Sequence, residues 1–233
     1  MKFVKDITLL TILGNKDPSF KENFRVIDKI LDTSYNYLRF EKIKILSAFK
    51  ENYQFKDKEV IIEEIEPMSQ RGYNIFCLNN LTDYIDTKYV LIFQNDGFII
   101  NPHLWEDSFL DYDYIGAPWP DHLNSRIGNG GFSLRTKKLI DITKNIKYID
   151  NIGLSGGTCS PEDHLICRYY YEYLKMFDIK FAPLDVAIRF SYEQYINEFP
   201  NWNNDLSLGF HGLFQNGWQN DFFRKKIKEK YYT

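Results

Sequence analysis

Asp96 closes the run Tyr89-Val-Leu-Ile-Phe-Gln-Asn-Asp-Gly97, which puts a carboxylate at the end of an apolar, strand-like segment. Open α/β sheets bind ligands beyond the carboxyl ends of their strands. A carboxylate there can hold Mg²⁺ or Mn²⁺ against a diphosphate, because these hard ions take one or two carboxylates and complete their shell with phosphate oxygens and water. Asn-Asp-Gly between apolar runs is also a hairpin-turn signature, so a plain turn is the competing explanation. A second segment, Ile127-Gly-Asn-Gly-Gly-Phe-Ser-Leu-Arg135, carries adjacent glycines that permit positive φ and close approach of backbone to a ligand. It is neither G-x-G-x-x-G nor a Walker loop, so no dinucleotide or P-loop site follows, and a glycine turn explains it equally well.

The third segment is Ser160-Pro-Glu-Asp-His164, ahead of a helical pattern over Leu165–Phe177. Ser160 suits an N-cap, Pro161 the first helical position and Asp163 a capping-box partner. Glu162 or Asp163 at a helix start could equally act as a general base on a hydroxyl. The fourth, Leu208-Gly-Phe-His-Gly212, sets a single histidine, His211, among aromatics, where a packed core residue is the plain expectation. A lone carboxylate such as Asp96 holds a metal poorly, so a distant histidine completing the shell is the functional alternative. At the C-terminus, Phe222–Tyr231 carries Arg224, Lys225, Lys226, Lys228 and Lys230, with Phe223, Ile227 and Tyr231 at i, i+4 and i+8. This spacing predicts a basic amphipathic helix, either docked on the core or touching an anionic lipid surface or another polyanion.

These side chains need a frame. Apolar runs predict buried strands over Ile7–Leu13, Lys44–Phe49, Val60–Ile65, Tyr89–Phe93 and Tyr114–Ala117. Helical patterns fall between them, over Phe20–Leu31 (Phe24, Ile27 and Leu31 on one face) and Arg71–Ile85 (Ile75, Leu78 and Leu81). Strands alternating with helices predict an α/β fold with a mostly parallel central sheet flanked by helices. The second half is more irregular, with Gly and Pro clusters at 116–120, 128–131 and 153–161, and irregular loops on a rigid sheet are where sites are built. No internal repeat or linker is visible. One domain over 1–233 is expected: a first half over about 1–118, a second over about 119–212 and the basic helix over about 219–233.

Composition narrows the function classes. At 233 residues the chain supports one sizeable core. With 44% hydrophobic and 26% charged residues it is not a disordered or collagen-like sequence. A net charge of −3 argues against a generally basic nucleic-acid binder. Aromatic content of 17% leaves ample material for lining sugar or base pockets as well as filling a core. Cys77, Cys159 and Cys167 are odd in number and form no C-x-x-C, which predicts neither disulfides nor a zinc site and suits a reducing cytoplasm. Asp6 interrupts the apolar N-terminal stretch, so a buried first strand is expected there rather than a signal peptide. No run reaches the ~18 apolar residues of a transmembrane helix.

Taken in order, several segments resemble a family of glycosyltransferase-like domains, long catalogued as a domain of unknown function, from cellular and viral genomes. They are Gly72-Tyr-Asn74, Val90-Leu-Ile-Phe-Gln-Asn-Asp96, Asp111-Tyr-Asp-Tyr-Ile-Gly-Ala-Pro-Trp119, Gly128-Asn-Gly-Gly-Phe-Ser-Leu-Arg135, Pro161-Glu-Asp163, Ala187-Ile-Arg-Phe-Ser-Tyr-Glu193 and Leu208-Gly-Phe-His211. They span about residues 60 to 212. The resemblance implies a Rossmann-like GT-A domain binding a nucleotide-sugar and a divalent cation, Mn²⁺ or Mg²⁺. It implies Asp96 and His211 as metal ligands, with Gln94 standing where such enzymes commonly carry the first acid of D-x-D. Asp163 matches an acidic base of related inverting enzymes, with Glu162 the other candidate. Asn129, Gly130 and Gly131 would border the donor and acceptor sugars, and Thr11 and Tyr73 would meet the nucleobase and ribose. Arg71, Asn74, Asn95 and Asp96 complete the implied donor-binding set.

The expectation is therefore an inverting, metal-assisted glycosyltransferase that moves a sugar from a nucleotide-sugar donor to a saccharide hydroxyl. It would be cytoplasmic, with peripheral membrane contact through the C-terminal helix. A hydroxylated base in viral or phage DNA is the alternative acceptor. A catalytically inactive sugar-binding module of the same fold is the alternative class, and a purely structural α/β protein a third.

Overall fold

A computed structural model describes residues 1–14, 23–49, 53–121, 125–153, 159–215, 217 and 219–233. Strand β1 (Lys2–Leu13) lies at the centre of a six-stranded sheet of order β3-β2-β1-β4-β6-β5. It pairs in parallel with β2 (Leu38–Ser47) on one side and β4 (Tyr89–Ile92) on the other, and β3 (Ile61–Glu64) extends the parallel set beyond β2. The chain runs outward from β1 to β3 and returns to the opposite side of β1 as β4. The carboxyl ends of β1 and β4 thus form a topological switch point, the crevice where open α/β sheets bind ligands.

The sheet is mixed α/β and flanked by helices, and its far edge departs from the parallel expectation. β6 (Ser133–Thr136) runs antiparallel to β4 and to β5 (Tyr114–Ile115). The sequence pattern hides β6, because Ser133–Thr136 follows directly on the glycine segment and holds one apolar side chain, Leu134, among three polar ones, all of which the fold buries. β2 also begins earlier than its apolar run, at Leu38, since Leu38, Phe40 and Ile43 bury one face between charged neighbours. In β1, Asp6 takes φ 60° and the register with β2 shifts between Val4 and Thr8. The polar interruption is a bulge in one strand.

Both faces of the sheet are covered. On one, α1 (Asn23–Tyr35) packs Phe24, Ile27, Ile30 and Leu31 against Leu9, Ile43 and Leu91, and the C-terminal helix adds Phe223, Ile227 and Tyr231 to that cluster. Positions 20–22 of the expected first helix lie outside the described residues. On the other face, Leu10, Leu46, Val90 and Ile92 meet Phe76, Leu81, Ile85 and Ile140. The expected helix over 71–85 forms in three pieces: α2 (Gln70–Ile75, with Ser69 accepting from Gly72 N–H at 3.2 Å), a π-helical turn Phe76–Asn80 and a 3₁₀ turn Leu81–Tyr84. Helix α3 (Lys137–Thr143) follows β6, capped by Thr136.

Beyond the sheet lie α4 (Glu162–His164), a π-helical turn Leu165–Tyr169, α5 (Tyr171–Lys175) and α6 (Leu184–Phe190). A short parallel pair follows, β7 (Ser191–Tyr192) with β8 (Gly209–Phe210), and then α7 (Asp221–Tyr231). The apolar stripe of α7 is buried in the core, so what it offers to solvent is its lysine face and Phe222. Among the described residues no helix is long and apolar enough to cross a membrane. Positions 154–158 of the Gly/Pro cluster at 153–161 lie outside the described residues.

Candidate active site

Two clefts meet at the switch point. A cavity of about 470 Å³ at the ends of β1 and β4 is lined by Thr11, Gly14, Ser69, Gln70, Tyr73, Asn74, Gln94 and Asn95. Its lining also includes Ile12, Leu13 and Met68 and, among the described residues, no charged side chain. A second, of about 550 Å³, is lined by Trp119, Asn129, Gly130, Gly131, Glu162, Asp163 and His211. Gln70, Tyr73 and Gln94 line both. Gln94 is the hinge: its Nε2 donates to the Tyr73 hydroxyl at 2.8 Å and its Oε1 faces His211 Nε2 at 3.3 Å.

The Asn-Asp-Gly segment forms the turn that its sequence suggests. Gln94 and Gly97 exchange backbone hydrogen bonds (2.9 and 3.1 Å), making a tight turn after β4, and that turn presents Asp96. Asp96 Oδ1 lies 3.6 Å from His211 Nε2. His211 is buried, as a core histidine would be, yet it faces the cleft. Burial counts against its charged form, but Asp96 and Glu193 outweigh that and lift its pKa to about 9.

The other ring nitrogen meets a residue to which the sequence assigns no role. In the β7–β8 register Tyr192 is opposite Phe210, so Glu193 and His211 come next as a pair. Glu193 Oε1 lies 2.8 Å from His211 Nδ1, and Glu193 is fully buried. Burial pushes its carboxyl up while His211 draws it down. Asn129 completes this group: its Nδ2 lies 2.8 Å from His211 Nδ1 and hydrogen-bonds Glu193. The positive φ foreseen for the glycines falls on Asn129, at 54°. Gly130 and Gly131 serve close approach instead, since a Cβ on Gly130 would overlap Glu162 and one on Gly131 would overlap His211.

Glu162 and Asp163 sit at the opposite wall, and the capping expectation is corrected there. Pro161 occupies the N-cap position, with no side-chain capping bond, and Ser160 Oγ accepts instead from Ile152 N–H at 3.0 Å. Asp163 does not reach back to the helix start. Its Oδ2 accepts from Gly130 N–H at 2.8 Å and its Oδ1 from His164 N–H at 2.8 Å. Glu162 is held by the fully buried Arg135 at 2.8 Å, on which Tyr114 also stacks. Burial and Asp163 raise the Glu162 carboxyl, and Arg135 opposes them. Asp163 forms no ion pair among the described residues, and its carboxylate lines the cleft. Arg71 belongs to neither cleft: it pairs bidentately with Asp150 on the surface (2.8 and 2.8 Å) and lies over Tyr148.

The donor atoms suit a hard divalent cation shared with a ligand. Asp96 and Gln94 supply oxygen and His211 an imidazole nitrogen, with a buried carboxylate behind the ring, the arrangement that orients ligating histidines. Among the described residues no cluster of three or more His, Cys, Asp or Glu side chains could hold a metal. A cation here would therefore complete its shell with phosphate oxygens and water.

Residues 56–211 match the family model described as "Protein of unknown function (DUF5672)". No curated protein matches the sequence. Among solved structures, similarity extends to HddC from Yersinia pseudotuberculosis (15% identity, TM-score 0.40, 73% of this chain and 99% of that one). It also extends to the glycosyltransferase GlyE of Streptococcus pneumoniae TIGR4 (16%, 0.43, 97% and 60%) and to S. aureus TarS 1-349 (10%, 0.45, 97% and 70%). The chain thus spans about 60% of the GlyE chain.

Proposed function

The chain belongs to the DUF5672 family, which by its description has no assigned function, and we propose from the site that it is a nucleotide-sugar glycosyltransferase of GT-A type. The observation that carries the proposal is the arrangement of two clefts about Gln94 and His211. A cleft at the switch point meets one that holds the Asp163 carboxylate and His211; Gln94 lines both at this junction, and Asp96 Oδ1 lies 3.6 Å from His211 Nε2. A nucleoside would fill the first, contacting Thr11, Tyr73, Asn74 and Asn95, and the diphosphate would reach the junction. Asp96 and His211 would hold Mn²⁺ or Mg²⁺ there, and the bound cation would neutralise charge on the departing diphosphate.

The chain's own residues supply the rest. Gly130 and Gly131 let Glu162 and His211 pack against the backbone, and both line the cleft in which the sugar would lie. Gly130 N–H and His164 N–H orient Asp163, leaving it lone pairs for the acceptor hydroxyl. As the acceptor oxygen bonds to the anomeric carbon, its proton passes to Asp163 and the carbon–oxygen bond to the diphosphate breaks, inverting the centre. A saccharide hydroxyl is the proposed acceptor. Calorimetry with nucleoside diphosphates tests the reading. Affinity is expected to rise with Mn²⁺, and Asp96→Asn to abolish the rise. A ligand at 100 times its dissociation constant stabilises by ~2.7 kcal/mol, so thermal shift reads the same effect. Equal affinity in chelator would end the cation assignment. Sugar-nucleotide binding with neither transfer nor hydrolysis would identify an inactive sugar-binding module.

A further inference from the structure

The hydrogen bonds behind His211 decide which of its nitrogens carries the proton. Asn129 Oδ1 accepts from Gly131 N–H at 2.9 Å and Phe132 N–H at 3.2 Å, which fixes the orientation of its amide. The end facing His211 and Glu193 is therefore Nδ2, a donor without lone pairs to offer. Nδ2 of Asn129, Nδ1 of His211 and Oε1 of Glu193 form a closed triangle, with His211 Nδ1 2.8 Å from each of the other two.

For the neutral ring, two arrangements satisfy the triangle. In one, Glu193 Oε1 accepts from both Asn129 and the His211 Nδ1–H. In the other, Asn129 donates to a bare Nδ1, the ring proton sits on Nε2, and a lone pair of Nδ1 faces the carboxylate. Glu193 has 0% exposure, and its Oε2 has no hydrogen-bond partner among the described residues. A buried carboxylate with one unserved oxygen is costly unless the other is well served. The first arrangement gives it two donors and the second gives it one, while a proton on Nε2 would meet Gln94 Oε1 and Asp96 Oδ1 only at 3.3 and 3.6 Å, longer than the 2.8 Å from Nδ1 to Glu193.

We propose that Glu193 is a positioning residue that holds His211 as the Nδ1–H tautomer, so that the Nε2 lone pair faces Asp96 and Gln94 as a cation ligand. This rests on the cation site proposed above. Its two halves, the ring tautomer and its consequence for the cation, are measured separately.

Mn²⁺ binding, followed by the paramagnetic resonance of the free ion, is compared in wild type, Glu193→Gln and Glu193→Leu, each with uridine or guanosine diphosphate present. Removing a carboxylate behind a ligating histidine lowers metal affinity ~10–100-fold, which is the loss expected for Glu193→Leu. Glu193→Gln keeps an acceptor for Nδ1–H and is expected to lose less. Diphosphate binding in chelator, unchanged in both variants, shows that they are folded. Wild-type Mn²⁺ affinity in Glu193→Leu would overturn the proposal. A second measurement needs no variant: two-bond ¹H–¹⁵N correlation of metal-free wild type on the alkaline side of the ring's own titration, where the ring is neutral. Nδ1–H is expected, and Nε2–H would overturn the assignment. A wild type that binds no Mn²⁺ would end the cation reading, while the ring measurement would still decide what Glu193 does.

Discussion

Asp163 and Glu162 are neighbours with different surroundings, and the difference separates their roles. Asp163 meets two backbone N–H groups, one of them from the glycine loop, and faces the cleft. Asp163→Asn keeps an acceptor for Gly130 N–H but cannot take a proton at neutral pH. It is expected to fold and bind donor normally while turnover falls ~10²–10⁴-fold. Single-turnover kinetics beside a thermal melt checks this, and retention of more than about a tenth of wild-type turnover would put the base elsewhere. Glu162 is engaged with Arg135, whose side chain is 0% exposed. Glu162→Gln leaves that guanidinium without a counter-charge, a change that costs ~3–5 kcal/mol when a buried pair is broken. Urea denaturation should show that loss. A Glu162→Gln protein as stable as wild type but without turnover would give Glu162 the catalytic part.

At the scale of elements, the site depends on segments crossing at near-contact distance. Gly116 follows β5, and a Cβ there would overlap the carbonyl oxygen of Gly128, at the start of the glycine loop. That neighbour is backbone and cannot rotate away. Gly116→Ala is therefore expected to destabilise by at least the ~1–3 kcal/mol of ordinary overpacking, and to displace Asn129 and Gly130 with it. A melting temperature within a degree of wild type would mean that the loop yields freely. The pieced helix from Gln70 to Tyr84 matters in the same way, since its first turn carries Tyr73 to Gln94. Tyr73→Phe removes the hydroxyl that accepts from the Gln94 amide. It should weaken diphosphate binding, read by calorimetry, without loss of the fold.

For the molecule as a whole, charge discriminates between acceptors. The net charge is −3, and four exposed lysines of α7 (Lys225, Lys226, Lys228 and Lys230) lie outside the two clefts of the site. Binding to duplex DNA lowers log K by ~0.9 per neutralised phosphate as log salt rises. A slope shallower than about −4 in a filter-binding titration is expected here, and a steeper one would favour a DNA acceptor over a saccharide. The same helix braces the turn after β4, because Tyr232, just beyond it, donates its hydroxyl hydrogen bond to the carbonyl of Asn95.

Sequence alone determined what local patterning can carry. The apolar runs of β1, β3 and β4 and the spacing of Phe24, Ile27 and Leu31 follow from short periods, and a carboxylate after β4 follows from counting residues. Thr11, Tyr73, Asn74, Asn95, Asn129 and Asp163 could be singled out because each belongs to a strand end, a turn or a quoted motif. Tertiary structure alone decided which of them share a cleft, and it excluded Arg71, which pairs with a carboxylate 79 residues away. The insertion of β6 between β4 and β5, the binding of Arg135 to Glu162, and the setting of His211 between Gln94 and Glu193 were also invisible in the sequence. Those contacts join residues 18 to 117 apart, and no local period encodes them. Register explains the rest: Glu193 stands behind His211 because β7 and β8 pair in parallel, and a shift of one residue would turn its side chain to the other face.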